Sequence, residues 1–262
     1  RESRRFQGYE KLTVEHILSP YDFDLYKRGI AVGDYPIDHH HSRNPKSIKE
    51  EFPPVPSFNV PYDVIVSKDI DNLLLGEKNI SVTHVVNGST RLQPVVMQMG
   101  QAAGIAAALS IKNRKAPREL NIREIQQQLL DSFGYLMPIF DMDRKANCFQ
   151  AVHRVCAAGM MTVTGVPYKW ANRGCFYPYN TIKIDDLSFL FFNYLKIETD
   201  DLPGFGAKSA LSINDIKKIA MSNGINEFED IDSSDKSIDR CKFAILLDEL
   251  FKPFDKDLYL KT

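Results

Sequence analysis

The first half of the chain shows short apolar runs separated by turns. Residues 29–37 predict a strand bounded by glycine and proline, and residues 62–66 and 72–75 predict buried strands. The β-branched run at residues 80–86 predicts another extended segment. The amphipathic pattern of residues 118–130 predicts a helix, so this half mixes strands with helices.

One stretch of the first half, STRLQPVVMQMGQAAGIAAALS at residues 89–110, predicts a single helix of unusual composition. Pro94 suits a first helical turn, where its missing N–H costs nothing. Small residues recur four positions apart at Gly100, Gly104 and Ala108 and give one flat face. Because the stretch carries almost no charge, we expect the helix to be buried almost all round. Any part of the flat face without a partner would lie exposed.

The second half predicts helices joined by loops. They cover residues 147–158, 184–195, 212–222 and 237–251. A weak internal repeat places AVHRVCAAGM over IKKIAMSNGI, and IDDLSFLFFNYL over IDRCKFAILLDEL. This alignment predicts Asp185 and Asp239 as helix N-caps.

Composition and charge narrow the classes of function. The 262 residues include 33 basic and 34 acidic side chains, and the net charge of −1 argues against nucleic acid as a partner. No uninterrupted apolar run approaches the ~20 residues of a membrane span. The cysteines form no C-x-x-C pair, which disfavours a zinc ribbon. They are expected to be buried small hydrophobes, or to include one disulfide if the protein is exported.

Three motifs follow one another in the first half: RESRRFQGYEKLT, GDYPIDHHH, and NLLLGEKNISVTHVVNGSTRLQPVVMQMGQAAGIAAALS. Together they resemble the C-terminal part of bacterial FAD-dependent oxidoreductases of the glutathione-reductase-like superfamily. The resemblance implies an α/β (α+β) segment of an FAD/NAD(P)-binding oxidoreductase over residues 1–135. It implies FAD as cofactor and hydride transfer from a small substrate, for example one derived from a sugar.

The same resemblance implies the residues of a flavin site. A helix N-terminus carries free N–H groups and partial positive charge, which suits the pyrimidine edge of a flavin. The alternative is a helix that serves packing alone. The expected cofactor-binding residues are Gly76, Glu77, Ser81, Ser89, Arg91, Gln93, Pro94 and Val95.

Candidate catalytic residues lie on the expected substrate side of the flavin. Consecutive histidines cannot all face one ion from regular structure, so a metal site is not expected. Histidine and tyrosine could orient the substrate or move protons, and arginine could hold a polar or anionic group. The alternatives are a buried histidine with satisfied hydrogen bonds and surface ion pairs. The candidates are Arg4, Tyr35, His39, His40, His41 and His84.

One departure from the family concerns the nucleotide. The chain contains no G-x-G-x-x-G motif, which in the family holds the pyrophosphate. The chain also begins at Arg1 rather than at methionine. We therefore expect a C-terminal portion of a longer enzyme, which needs an N-terminal Rossmann-type FAD domain as its partner. Alone it should be inactive and bind FAD weakly or not at all.

The segments GCFYPYNTIKIDDLSFLF and SIDRCKFAILLDEL resemble the S-layer-homology type of helical repeat. The resemblance implies an all-α repeat domain over residues 136–262. The tetrads that contribute to wall binding in that family are degenerate at residues 185–188 and 239–242, and two repeats are evident instead of three. A structural appendage is thus at least as well supported as attachment to a cell-wall polymer.

Other functions are compatible with the sequence. One is a carbohydrate- or wall-binding module with an inert oxidoreductase-like half. Another is a polysaccharide (xanthan) lyase. Such an enzyme needs a cluster of Tyr, His and Arg as its base, and Tyr35, His39 and Arg4 match that composition. The spacing of these three residues does not favour a lyase. A periplasmic or secreted location is favoured over the cytoplasm.

Overall fold

The chain forms two compact units in a computed structural model. The residues described are 4–39, 46, 51–168, 171–197, 210–229 and 237–260. The first unit comprises Arg1–Phe140, Gly165–Cys175 and Asp257–Thr262, and the second comprises Asp141–Thr164 and Phe176–Lys256. The sequence analysis placed residues 136–262 in one repeat domain, but Gly165–Cys175 groups with the first unit.

The strands of the first unit are short. Strand β1 (Gly29–Gly33) pairs antiparallel with β2 (Phe58–Pro61), and both are largely buried. The predicted strand at residues 29–37 therefore ends early, at Gly33. The strand predicted at residues 62–66 is wrong over its first part, because Tyr62–Val64 is a 3-10 helix.

Two further strand predictions fail in the first unit. Residues 72–75 contribute only an isolated bridge, between Leu74 and Val66. The extended segment predicted at residues 80–86 turns into a helix at His84. The hydroxyl of Thr83 caps that helix by accepting from the backbone N–H of Val86 at 3.4 Å. A local cap overrides the β-branched composition here.

The helices of the first unit are α1 (Val14–Leu18), α2 (His84–Thr90), α3 (Gln93–Asn113) and α4 (Ile122–Asp131). The single helix predicted at residues 89–110 is thus two helices, separated by Arg91 and Leu92. Pro94 lies in the first turn of α3, as predicted.

Helix α3 contributes little to the core of its unit. Its buried residues are Val95, Met99, Ala102 and Ala106. The expectation of burial almost all round is wrong for this chain, and the flat face is exposed, with no atom within 4 Å of a Cβ placed on Gly104. Among the described residues this one helix is long and apolar enough to cross a membrane, with a mean hydropathy of 1.3. Length and composition alone say little, because core helices of water-soluble proteins pass the same test.

Side chains from two helices satisfy the backbone of β1. The side chain of Gln98 in α3 accepts from the N–H of Val32 at 3.1 Å and donates to its carbonyl at 3.3 Å. Gln126 in α4 is fully buried and donates to the carbonyl of Gly29 at 2.9 Å. These bonds replace a third strand, because buried backbone groups need partners. They also fix the start of α3 beside β1.

The helices of the second unit are α5 (Phe149–Ala158), α6 (Ile184–Phe189), α7 (Ile213–Ser222) and α8 (Arg240–Phe251). Helix α6 continues as a π-helix at Leu190–Leu195. The four helix predictions of the second half are therefore confirmed in position.

The helix caps of the second unit agree only in part with the prediction. Asp239 is the N-cap of α8, and its carboxylate accepts from the N–H of Lys242 at 2.8 Å. Asp185 is not a cap, because α6 begins one residue earlier, after Lys183. The carboxylate of Asp186 accepts from the N–H of Lys183 at 3.0 Å instead.

Three backbone hydrogen bonds close a ring in front of the last three helices. Ile182 donates to Ile238 and Leu211 donates to Ile182, both at 2.9 Å, while Ile238 donates to Leu211 at 3.4 Å. Each of these residues immediately precedes the N-cap of α6, α7 or α8. Three segments are thus equivalent in space, and Ile182, not Ile184, corresponds to Ile238. The sequence alignment of the repeat is two residues out of register.

A disulfide links two helices of the second unit. Cys148, at the start of α5, is bonded to Cys241 in the first turn of α8, with 5.7 Å between their Cα atoms. Of the two expectations for the four cysteines, the one that included a disulfide agrees with this structure. Cys156 is a buried free thiol, and burial raises its pKa to about 12.

Candidate functional site

A cavity of about 880 Å³ opens beside the N-terminus of α2. Its lining residues are Arg4, Arg5, Phe6, Gln7, Lys11, Val82, Thr83 and His84. We call it the cationic cavity, because several of the described residues that line it are basic and none of them carries a carboxylate. Two of the predicted catalytic residues, Arg4 and His84, meet there although they lie far apart in the sequence.

A third predicted catalytic residue, His39, stacks on His84, and their ring centroids are 4.5 Å apart. His39 Nε2 lies 3.0 Å from the carbonyl oxygen of Val85, and a carbonyl can only accept, so Nε2 carries the proton. In the neutral ring Nδ1 is then the acceptor. His39 also packs at 5.2 Å from the ring of Phe52.

The glycine of α2 makes room for this histidine pair. A Cβ on Gly88 would lie 2.8 Å from His39 Nε2 and 3.1 Å from the backbone nitrogen of Asp38. Real Cβ contacts are longer, so only glycine allows the helix and the segment to approach this closely. The position of His39 therefore depends on a residue of another element.

Arg91 holds the end of α2 against the segment that carries His39. Its guanidinium donates to the carbonyl of Asp38 at 2.8 Å and to the carboxylate of Asp38 at 3.2 Å. The predicted flavin-facing arginine is therefore engaged with a carboxylate. Its charge near the N-terminus of α3 is partly balanced by this pair.

The N-terminus of α3 lacks a capping side chain. Its N-cap residue, Leu92, makes no side-chain bond, and Gln93 and Pro94 are exposed. The first N–H groups of a helix have no intrahelical partner, and they lie at the positive end of the helix dipole. This uncapped end fits the acceptor-rich pyrimidine edge of a flavin, whose negative charge grows on reduction.

The other predicted cofactor-binding residues differ in accessibility. A Cβ on Gly76 would lie 3.4 Å from the Cα of Gly100, so Gly76 is next to α3. Glu77 is exposed and pairs with Lys78 at 3.1 Å, and hydrogen bonds from the Lys78 backbone and side chain lower its pKa.

Three other residues of that group face inward. Ser81 and Ser89 are buried, and their hydroxyls have no hydrogen-bond partner among the described residues. Val95 is buried against the core. Direct contact with a cofactor would therefore use the exposed residues near α3 rather than these three.

A second cavity, of about 370 Å³, lies beside the start of α3. Its lining residues are Val32, Asp34, Pro94, Gln98, Tyr135, Pro138, Ile139, Phe140, Asn172, Arg173 and Gly174. We call it the hairpin cavity, because the last three belong to a two-stranded hairpin, β3 (Thr164–Tyr168) and β4 (Ala171–Cys175). Tyr35, another predicted catalytic residue, is half-buried directly after Asp34.

The sequence analysis identified only Pro94 of the hairpin cavity as a site residue. The alternation in TGVPYKWANRGC could have predicted the hairpin, but no local pattern connects it with Asp34. His40 and His41, predicted as catalytic, lie outside the described residues. Within the part of the chain that is described, no group of histidine, cysteine and acidic residues could hold a metal ion.

Comparison with known proteins concerns the first part of the chain. Residues 1–129, just under half of the 262-residue chain, match a family described as FAD dependent oxidoreductase. The match covers the elements from α1 to α3, most of α4, and the lining residues of the cationic cavity. It supports a flavin oxidoreductase in general, with FAD as cofactor. No curated protein and no solved structure matches the chain.

Proposed function

We propose that the first unit provides the substrate side of an FAD-dependent oxidoreductase that oxidises a small, hydroxyl-bearing molecule, for example one derived from a sugar. One observation carries the proposal: Arg4 and His84 line one cavity, and His39 stacks on His84. When bound, FAD supplies an acceptor for the hydride. The uncapped end of α3, with Arg91 behind it, is where this chain would hold the flavin.

The chain's own residues supply proton transfer and charge. Oxidation of an alcohol requires removal of the hydroxyl proton, and a neutral imidazole is suited to accept it near neutral pH. His84 is exposed to the cavity and takes this role, while the ring of His39 supports it from behind. The basic groups of Arg4, Arg5 and Lys11 would stabilise the alkoxide that develops.

We propose a partner domain for the exposed face of α3. A separate Rossmann-type domain would hold the adenosine half of FAD, for which this chain has no G-x-G-x-x-G motif. The glycine and alanine residues of the flat face allow close approach of such a domain. In this proposal the 262-residue chain alone binds FAD weakly and is inactive.

We propose that the second unit is a structural appendage of the S-layer-homology-like type. The ring formed by Ile182, Leu211 and Ile238 supports three repeat segments, one more than the sequence indicated. Arg240, in the degenerate tetrad, is bound to Asp186 and to the carbonyl of Thr162, so it is committed to the fold. Purified cell wall should therefore not retain the protein in a pull-down, and retention would support wall attachment instead.

The oxidoreductase proposal is tested on the natural protein, purified from the cells that produce it. The purified protein should show a flavin absorption spectrum, and anaerobic addition of hydroxylated substrates should bleach it. His84→Gln should slow bleaching without releasing flavin, whereas His16→Gln, at a histidine in α1 that is not among the described lining residues, should change neither. Absence of flavin would refute the proposal and favour a binding module with an inert oxidoreductase-like half.

A further inference from the structure

The hairpin cavity combines residues from the family-matched segment with residues outside it. Val32, Asp34, Pro94 and Gln98 fall within residues 1–129, whereas the wall at residues 135–140 and 172–174 lies beyond them. Seven of the eleven described lining residues therefore lie outside the matched segment. Its volume of about 370 Å³ lies within the range of small-molecule sites.

Hydrogen bonds hold the walls of this cavity in place. The N–H of Asn172 donates to the carbonyl of Asp34 at 2.6 Å, and the N–H of Phe140 donates to the carbonyl of Gly174 at 2.7 Å. The hydroxyl of Ser57 donates to the carbonyl of Asn172 at 2.8 Å. These bonds connect the hairpin to Asp34, Phe140 and Ser57.

The chemistry of the lining favours one class of ligand. Asp34 and Arg173 contribute opposite charges, so the described lining residues carry no net charge that would attract an anion or a cation. A carboxylate accepts hydrogen bonds from hydroxyl groups, and a guanidinium donates to them. The guanidinium of Arg173 lies 4.1 Å from the centroid of the Phe140 ring, and Phe140 remains 61% exposed. An exposed aromatic ring offers a flat apolar surface beside these polar groups.

We propose that the hairpin cavity binds a neutral, hydroxyl-rich ring, that is, a monosaccharide unit. Phe140 packs against the C–H face of the sugar, and Asp34 and Arg173 bind its hydroxyl groups. Asn172 is a positioning residue, since its backbone joins the hairpin to Asp34. This sugar site is separate from the cationic cavity, where the proposed oxidation takes place, and it does not depend on the proposed function.

Binding is tested on the 262-residue chain without FAD. Glucose, galactose, mannose and xylose are titrated by calorimetry and saturation-transfer NMR, with glucuronate, glucosamine and alanine as anionic, cationic and zwitterionic probes. At least one neutral sugar should bind more tightly than any charged or zwitterionic probe. Phe140→Ala should weaken its binding about tenfold, the scale expected for loss of an aromatic contact. Phe192→Ala, at a phenylalanine that is 64% exposed in the second unit, should leave binding unchanged.

A second pair of variants tests whether a carboxylate binds the hydroxyl groups of the sugar. Asp34→Asn should also weaken sugar binding, whereas Asp69→Asn, at an exposed aspartate of the same unit, should not. Near-UV circular dichroism checks that each variant is folded. Binding of no neutral sugar, tighter binding of a charged or zwitterionic probe, or equal effects of Phe140→Ala and Phe192→Ala would each overturn the proposal.

The two proposals fail in different ways. If sugars bind but the protein as its cell makes it contains no flavin, the sugar site stands and the oxidoreductase proposal falls. If a substrate bleaches the flavin but no neutral sugar binds the 262-residue chain, the oxidoreductase stands and the sugar site falls.

Discussion

Replacing Gly88 by alanine should disturb the histidine pair through a single added methyl group. The new Cβ would lie 2.8 Å from His39 Nε2, 2.9 Å from His39 Cδ2 and 3.1 Å from the backbone nitrogen of Asp38. Favourable carbon contacts lie at about 3.5–4.0 Å. The imidazole must therefore move by roughly 0.7 Å, which disturbs its hydrogen bond to the carbonyl of Val85.

The magnitude follows from three contributions to the free energy of unfolding. Overpacking a tight site costs about 1–3 kcal/mol. Weakening the bond between His39 and Val85 costs about 0.5–1.5 kcal/mol. Alanine in place of glycine within a helix raises the free energy of unfolding by about 1 kcal/mol, because alanine has the higher helix propensity. We expect Gly88→Ala to destabilise the first unit by about 2 kcal/mol.

Gly104→Ala is the matched control, because it makes the same chemical change in another helix. No atom lies within 4 Å of a Cβ placed on Gly104, so only the helix-propensity gain remains. This variant should be stabilised by about 0.5–1 kcal/mol. Hydrogen exchange of the amides in α2 and α3 measures the stability change in each variant. The imidazole NMR signals of His39 show whether its ring has moved. Equal stability changes in the two variants, or unshifted His39 signals in Gly88→Ala, would refute the reasoning.

Three further predictions concern buried groups. Replacing Cys148 and Cys241 by serine opens a loop of 93 residues, and the chain-entropy relation gives a loss of about 4.6 kcal/mol, measured by denaturant unfolding of the second unit. Burial, with a smaller effect of a nearby arginine, lowers the pKa of His153 to about 3, below the 6.5 of the unfolded chain. The unfolded state therefore binds the extra proton, and stability should fall by up to about 5 kcal/mol as the pH drops from 6.5 to 3. Asp63→Asn breaks a buried pair with Arg28, whose Nε lies 2.9 Å from a carboxylate oxygen, and should cost about 3–5 kcal/mol.

Each of these has an outcome that would contradict it. The disulfide prediction fails if a reducing agent leaves the denaturation midpoint unchanged. The histidine prediction fails if His153→Met shows the same acid sensitivity of α5 amide exchange as the unmodified chain. For the buried pair, the double variant Arg28→Met with Asp63→Leu should be more stable than Asp63→Asn, because it leaves no unpaired buried charge. A double variant less stable than Asp63→Asn would contradict this account.

Local signals in the sequence determined the helices of the second half. Gly159 ends α5 with a φ of 84°, Ser212 caps α7, and Asp239 caps α8, all readable from residue type and position. The ordered motifs of the first half likewise indicated a flavin oxidoreductase, in agreement with the family match. In both cases the relevant information lies within a few neighbouring residues.

The tertiary structure decided what the sequence pattern could not. Residues 80–86 were expected to be extended, yet Thr83 caps a helix there, because packing and capping outweigh the weak β preference of valine. The hairpin that completes one cavity meets Ser57 across 115 residues, and no local periodicity encodes such a contact. The sequence by itself determined the ends of α5, α7 and α8 and the chemistry of the motifs. Only long-range packing decided which side chains share a cavity, because that depends on the segments the chain brings together after folding.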